Sequence, residues 1–419
     1  MKRIRTYAVW AGCSLILWVI VGFLGTLQGW FHQPLAKQNT ADSFRKAIQT
    51  EMDKQFVGNF AMAIIQNGRV DYELFHAVGS PIDRHTVFQV ASLSKWVSAV
   101  GIMKLVETGQ LDLDAPVSTY LTRWQLPPSP FNNQDVTVRR LLSHTAGLTD
   151  GLGYSGFDEG HPRQSLEQSL TKAADADSGK SGVVSVGRQP GSGFLYSGGG
   201  YTLLQLVVEE VSGQSFAGYM KRAVFEPLKM VHSSYDWSDD SPYQLAAFYH
   251  SDGSPAKHYR YTALAATSLY TSVSDLELFF QAHLAGEPSG RRVLKAETVR
   301  LMRRPHGRKM GVAIWGLGTV LYAPTAGEDY IIGHDGKSTP AINTAVRLNP
   351  KTGDGIIVLE TGSPDLATRL ASEWVFWKTG QVDTFLFPML MNKLLLIIGL
   401  GWLVILVITF LFIVLPRGA

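Results

Sequence analysis

Two uncharged apolar stretches, one near each end, constrain this chain more than anything between them. Tyr7 to Leu27 carries no charge, and Leu394 to Leu415 is uncharged and almost wholly aliphatic or aromatic. Each is about as long as a helix must be to cross the hydrocarbon of a bilayer. Lys2, Arg3 and Arg5 precede the first stretch, and the positive-inside bias puts that end in the cytoplasm. A second span returns Arg417 to the same side, so the residues between the spans face outward. Trp30 and Phe31 follow the first stretch as interfacial aromatics do. A cleaved signal peptide is the competing reading. The apolar run is longer than a signal core, however, and no small-x-small cleavage site stands out. The expected division is an N-terminal transmembrane anchor over 1–33, an outward-facing domain over 34–385 and a C-terminal transmembrane helix over 386–419.

Composition narrows the function classes. The net charge is +3 over 419 residues, with no basic run interleaved with aromatics, so no nucleic-acid surface is expected. Cys13 is the single cysteine, which excludes a disulfide framework and a cysteine metal site. The eleven histidines are scattered, and H-E-x-x-H, P-loop and EF-hand patterns are absent. Gly151-Leu-Gly-Tyr-Ser-Gly156 has dinucleotide-type spacing but follows no strand, so it fails its context test. G-x-S-x-G is absent from any strand–turn–helix setting. No cofactor and no metal are expected.

Along the outward part, 34–55 shows helical spacing of Phe44, Ala47, Ile48 and Met52. Phe60–Ile65 is a short apolar run, Asn67-Gly68 is a strong hairpin turn, and Val70–Val78 is the partner strand. Apolar helices are expected over 92–108, over 201–211 with a Gly213 stop, and over 215–224. Another is expected over 272–285 with Ser274 as a possible cap. A short helix at 137–142 is expected to end at a glycine. Residues 150–192, rich in Gly, Ser, Asp and Lys, read as an exposed excursion with some helix near 164–173. Strands are expected at 311–322, 329–334, 341–348 and 354–361, with Pro350–Gly353 as a turn. Early and late strands can share one antiparallel sheet, with the helical middle as a second lobe.

The chemistry gathers at Phe88-Gln-Val-Ala-Ser92-Leu-Ser-Lys95-Trp-Val97. Residues three apart share a helix face and neighbours do not, so Ser92 and Lys95 can touch. Ser-x-x-Lys also occurs at Ser43, Ser169 and Ser254, but only the Ser92 copy opens a helix that is apolar nearly all round. Such a helix lies inside a domain. Burial lowers a lysine's pKa and makes it a proton acceptor near neutrality, and a serine needs such a partner to act as a nucleophile. A capping serine is the plain alternative.

Three stretches together resemble the serine β-lactamase-like family of class C β-lactamases, D-alanyl-D-alanine peptidases and related esterases. They are Ser92-Leu-Ser-Lys95, Pro190-Gly-Ser-Gly-Phe-Leu-Tyr196-Ser-Gly198-Gly-Gly-Tyr201 and Gly333-His334-Asp335-Gly336. Leu141-Leu-Ser-His-Thr-Ala-Gly-Leu148, Glu226-Pro-Leu-Lys-Met230 and Ser272-Val-Ser-Asp275 add to the likeness, which spans about 55 to 362. The resemblance implies an α+β fold of the β-lactamase/transpeptidase type, an antiparallel sheet flanked by helices plus an all-helical lobe. It implies Ser92 as nucleophile, Lys95 as its proton partner and Tyr196 as the group that passes a proton to the leaving group. Positive charge on Lys95 is expected to lower the Tyr196 phenol. His334 would orient substrate or touch its carboxylate, and Gly336 would let substrate lie along the strand. The N–H groups of Ser92 and Lys337 would form an oxyanion hole. His144 reads as structural.

One departure matters. The family's second motif is usually Tyr-x-Asn, and Gly198 stands where the asparagine would be. The resemblance and the two end spans together lead to the expectation of a membrane-tethered serine hydrolase at the cell membrane, its domain periplasmic or extracellular, acting on a peptide, amide or ester more readily than on a β-lactam. A binding or sensor protein that kept the fold is the alternative, and a structural membrane protein is a third reading. Reporter fusions at Gly160 and at Ala419 are expected to report opposite sides of the membrane; fusions reporting one side would break the topology.

Overall fold

The computed structural model describes residues 2–38, 40–151, 153–284 and 293–415. Leu152 of the glycine motif, Ala285 at the end of the expected 272–285 helix and Arg417 lie outside the described residues, as do the side chains of Lys2 and Arg3. The chain forms two compact units, residues 1–48 with 372–419, and residues 49–371.

The first unit holds the two ends. Helix α1 (Lys2–Leu27) and the terminal helix Met391–Val414 each contain a segment long and apolar enough to cross a membrane. They are paired. Trp18 Nε1 donates to the Ile397 carbonyl at 3.0 Å, and Trp402 Nε1 donates to the Leu15 carbonyl at 3.3 Å. A Cβ on Gly401 would meet the Trp18 indole at 1.9 Å, so the glycine is what lets that ring lie against the helix. Most other side chains on the terminal helix are exposed aliphatics and aromatics such as Leu395, Leu403, Phe410 and Phe412. Helix α2 (Ala41–Gln55) begins in this unit, where Phe44 stacks on Trp377 at 4.7 Å between ring centres.

The second unit is built on one eight-stranded antiparallel sheet. The N-terminal hairpin is β1 (Asn59–Gln66) and β2 (Arg69–Ala77). Asn67 and Gly68 between them take φ of 51° and 74°, the left-handed pair that a two-residue turn demands. A short pair, β3 (Phe88–Gln89) and β4 (Tyr270–Thr271), stands apart. The late strands are β5 (Gly307–Lys309), β6 (Val312–Trp315), β7 (Val320–Thr325), β8 (Asp329–Ser338), β9 (Ile342–Asn349) and β10 (Asp354–Thr361). Their order is β2-β1-β10-β9-β8-β7-β6-β5, so the first hairpin joins the last strand, as expected. Strand β1 is buried on both faces and therefore shows little polar alternation. Ala61, Ala63 and Ile65 face the same core as the helices of the middle segment.

Those helices include α3 (Ser94–Glu107), α4 (Val138–Leu142), α5 (Leu166–Lys172) and α6 (Gly198–Ser212). Several expectations need correction. The expected 311–322 strand is two strands, because Gly316–Thr319 folds back on itself through a Gly316 N–H to Thr319 carbonyl bond of 2.8 Å. Ser272, not Ser274, caps the Val273–Gln281 helix, its hydroxyl accepting from the Asp275 N–H. Helix α4 stops at Ser143 with His144 at φ 55°, ahead of Gly147. The 150–192 excursion is pinned at both ends, with Asp150, Val184 and Val186 buried.

Behind β8 lies a buried polar knot. Asp335 pairs with Arg347 at 2.9 Å, accepts from Thr368 Oγ1 at 2.9 Å, and makes a short bond with the Tyr322 hydroxyl. The Arg347 guanidinium lies 3.5 Å from the centre of the Tyr322 ring and is wholly buried. Removing one member of such a pair leaves an uncompensated charge. Arg347→Met is expected to destabilise the fold by about 3–5 kcal/mol, read as a lowered denaturant midpoint for the detergent-solubilised full chain. An unchanged midpoint would show that the pair is dispensable.

Candidate active site

The site begins with a tight turn. Residues Ala91–Leu93 form one turn of 3-10 helix running directly into α3. Ala91 takes φ 46°, a conformation L-residues rarely adopt. The turn is held from below by β9, where Thr344 Oγ1 donates to the Val90 carbonyl at 2.9 Å. A Cβ on Gly336 of β8 would sit 2.0 Å from that carbonyl oxygen. The space left by the missing side chain is thus filled by the chain just before Ser92. Gly336 brings the strand and the serine turn together.

Lys95 lies one turn along. Its Nζ is 3.1 Å from Ser92 Oγ and donates to the Ala266 carbonyl at 2.7 Å. The side chain is 2% exposed. Burial brings the amine down to about 7, against a weaker upward pull from the Asp150 carboxylate. At that value the amine is substantially neutral in ordinary buffer. Its lone pair can then accept a hydroxyl proton.

Tyr196 lies just ahead of α6, with its ring centre 5.0 Å from Lys95 Nζ. The nearby Ser92 hydroxyl pulls its phenol down, but burial outweighs that and pushes the phenol above its ordinary value. The expected lowering by Lys95 is therefore reversed: where both groups are dry, desolvation wins. Tyr196 therefore rests as a protonated phenol, not as a phenolate.

The third motif lies on β8, where side chains alternate between faces. His334 and Gly336 take one face; Asp335 takes the other, with Arg347. Strand β7 pairs with β8 only as far as Gly333, whereas β9 pairs with it through Ser338. Beyond Gly333 the edge opposite β9 has no strand neighbour among the described residues. His334 is buried, and its Nδ1 bonds the Asp335 carbonyl at 2.6 Å. Burial, then the nearby lysine, holds it down at about 3. It is neutral, so it offers a substrate carboxylate no charge. The Lys337 side chain turns away to Asp365 at 2.8 Å in an exposed pair, which leaves only its backbone for the site.

Three groups escaped the sequence reading. Asp150 makes a short bond with Ser197 Oγ and accepts from the Gly199 N–H at 2.8 Å. Trp315 packs edge-on to His334 and to Tyr196. Ala266 contributes its carbonyl to Lys95. No local pattern marks them: each is brought in by the tertiary fold. Among the described residues no three His, Cys, Asp or Glu side chains gather as metal ligands.

Fold and cleft together define an antiparallel sheet with a helical lobe and a serine, a lysine and a tyrosine between them. A family model described as Beta-lactamase matches residues 44–374, and the chain belongs to the Beta-lactamase family. It is 33% identical over 202 residues to Penicillin-binding protein 4* of Bacillus subtilis (strain 168), covering 46% of this chain and 41% of that protein. It is 22% identical over 338 residues to Protein flp of Staphylococcus aureus (strain N315), covering 78% of this chain and 64% of that one. The chain thus spans less than two thirds of either relative. Among solved structures it resembles the octameric penicillin-binding protein homologue from Pyrococcus abyssi, with a TM-score of 0.67, 26% identity, and 81% of this chain and 78% of that one covered. A penicillin binding protein from Bacillus halodurans gives a TM-score of 0.60 at 24% identity over 77% of this chain and 96% of that one, a likeness of fold.

Proposed function

We propose that this protein is a membrane-tethered serine hydrolase whose domain works outside the cytoplasm through an acyl-enzyme on Ser92. The observation that carries the reading is the buried Lys95 amine 3.1 Å from Ser92 Oγ. Neutral Lys95 takes the hydroxyl proton as Oγ attacks the substrate carbonyl. The N–H groups of Ser92 and Lys337 receive the developing oxyanion; a donor of that kind is worth about 2.7–4 kcal/mol in a well-studied protease. Tyr196 gives its phenolic proton to the leaving group as the carbonyl–leaving-group bond breaks, and recovers one from protonated Lys95. Water then attacks the ester with the same groups acting in reverse. His334 and Gly336 hold the strand against which the acyl group lies. The two terminal helices, with their exposed apolar side chains, support anchoring in lipid.

Several relatives are named as penicillin-binding proteins. A β-lactam is accordingly a reasonable acylating probe, and peptides, amides and esters are the proposed substrates. Gly198 favours a second reading, in which Ser92 acylates but turns over poorly and the protein acts as a sensor. Intact mass after incubation with a fluorophosphonate and with a β-lactam separates these outcomes. The expected result is an adduct on wild type that Ser92→Ala lacks. A β-lactam adduct that decays marks a hydrolase; one that persists marks the sensor. No adduct with either probe, or an equal adduct on Ser92→Ala, would overturn both.

A further inference from the structure

His144 belongs to the segment that closes α4, within one of the stretches that carry the resemblance, and the mechanism above gives it no role. Its surroundings are specific. The Leu195 N–H donates to the His144 carbonyl at 2.8 Å, and the Ser197 N–H donates to His144 Nδ1 at 3.2 Å. One residue thus holds the chain immediately before and immediately after Tyr196. Its ring lies on the Tyr196 ring at 4.3 Å and is boxed by Phe194, Tyr201 and Trp315.

We propose that His144 is the positioning residue for Tyr196, acting as the neutral tautomer with its proton on Nε2. The tautomer follows from the hydrogen bond: Nδ1 accepts from a backbone N–H and cannot itself carry a hydrogen. Protonation would set two N–H groups against each other. The charged and titratable groups that face the ring are Lys95 on α3, His334 on β8, and Tyr196 and Tyr201 beside and within α6. Burial, then Lys95 and His334, holds the imidazole well below its ordinary value, so it stays neutral across the working range. His144 Nε2 is buried without a hydrogen-bond partner among the described residues. The ring is therefore not kept for a bond at that atom. The backbone adds a second restriction, since φ of 55° is tolerated by Gly, Asn, Asp and His but resisted by most residues. Histidine satisfies both demands, a left-handed backbone and an acceptor two bonds from Cβ. Ser197, the middle residue of the Tyr196 motif, is then gripped twice, by His144 at its N–H and by Asp150 at its hydroxyl.

The catalytic half of this inference rests on the acyl-transfer reading; the positional half does not. Asparagine keeps the backbone freedom and an acceptor oxygen near the Nδ1 position. Glycine keeps the backbone freedom alone. The full chain in detergent, labelled with 15N-histidine and 13Cζ-tyrosine, reports both halves by NMR. Wild-type His144 is expected to show unprotonated Nδ1 and protonated Nε2 at pH 7. His144→Asn is expected to keep the Tyr196 resonance and to label Ser92 with a fluorophosphonate within about 5-fold of wild type. His144→Gly is expected to shift or broaden that resonance and to slow labelling about 100-fold, the scale of a misplacement near 1 Å. The loss should fall on the maximal labelling rate rather than on probe affinity. A proton on Nδ1, or a Tyr196 resonance unmoved in His144→Gly, would overturn the proposal. If no form labels while the Tyr196 resonance responds as described, the acyl-transfer reading has failed and the positioning stands. If His144→Gly does not fold, the wild-type tautomer and the asparagine variant still decide.

Discussion

A lysine amine held away from water is the constraint on which the rest of this site depends. An ammonium in such a place is costly, and the protein relieves the cost by letting the group lose its proton near neutrality. That works only if the helix carrying Lys95 is apolar on nearly every face, and α3 is: Trp96, Val97, Val100, Ile102 and Met103 are all buried around it. It also needs a hydroxyl within one turn and a strand pressed against that turn. Ser92 supplies the first. Gly336, whose Cβ would strike the Val90 carbonyl, permits the second.

The same desolvation acts differently on the neighbouring groups. Lys95 is brought down, His334 is held at about 3, and the Tyr196 phenol is pushed up. Burial pushes the Asp150 carboxyl up as well, so desolvation favours the uncharged form of all four groups. An uncharged lysine beside a protonated phenol is a matched acceptor and donor pair. In the proposed reaction, charge develops as a substrate carbonyl is attacked, where backbone dipoles can meet it.

Much of the fold was legible because its signals are local. Asn67-Gly68 demanded a turn, the Ser92 helix was apolar nearly all round, and Pro350–Gly353 marked the turn between the last two strands. The same held for Ser92 and Lys95, whose contact follows from helix spacing alone. What stayed hidden was tertiary. The polar composition of 150–192 suggested exposure, but Asp150 is drawn in because the Gly199 N–H in the first turn of α6 and the Ser197 hydroxyl need an acceptor. The Tyr196 phenol was expected to follow the nearby positive charge, and burial reversed the sign. His144 looked like the tail of a short helix. Its left-handed backbone and its Nδ1 bond to residue 197 depend on a partner more than fifty residues away.

The most direct test of the central claim is the rate at which a fluorophosphonate modifies Ser92, followed by intact mass from about pH 5.5 to 9.5 in wild type and in Lys95→Met. Raising the pH removes the proton from Lys95, so its capacity to accept the serine proton grows. The wild-type rate is expected to climb with a midpoint at about 7 and then level off, while Lys95→Met is slow and flat. A wild-type rate still climbing steeply above pH 9, as an ordinary exposed lysine would give, would contradict the account. So would a Lys95→Met variant that matched wild type.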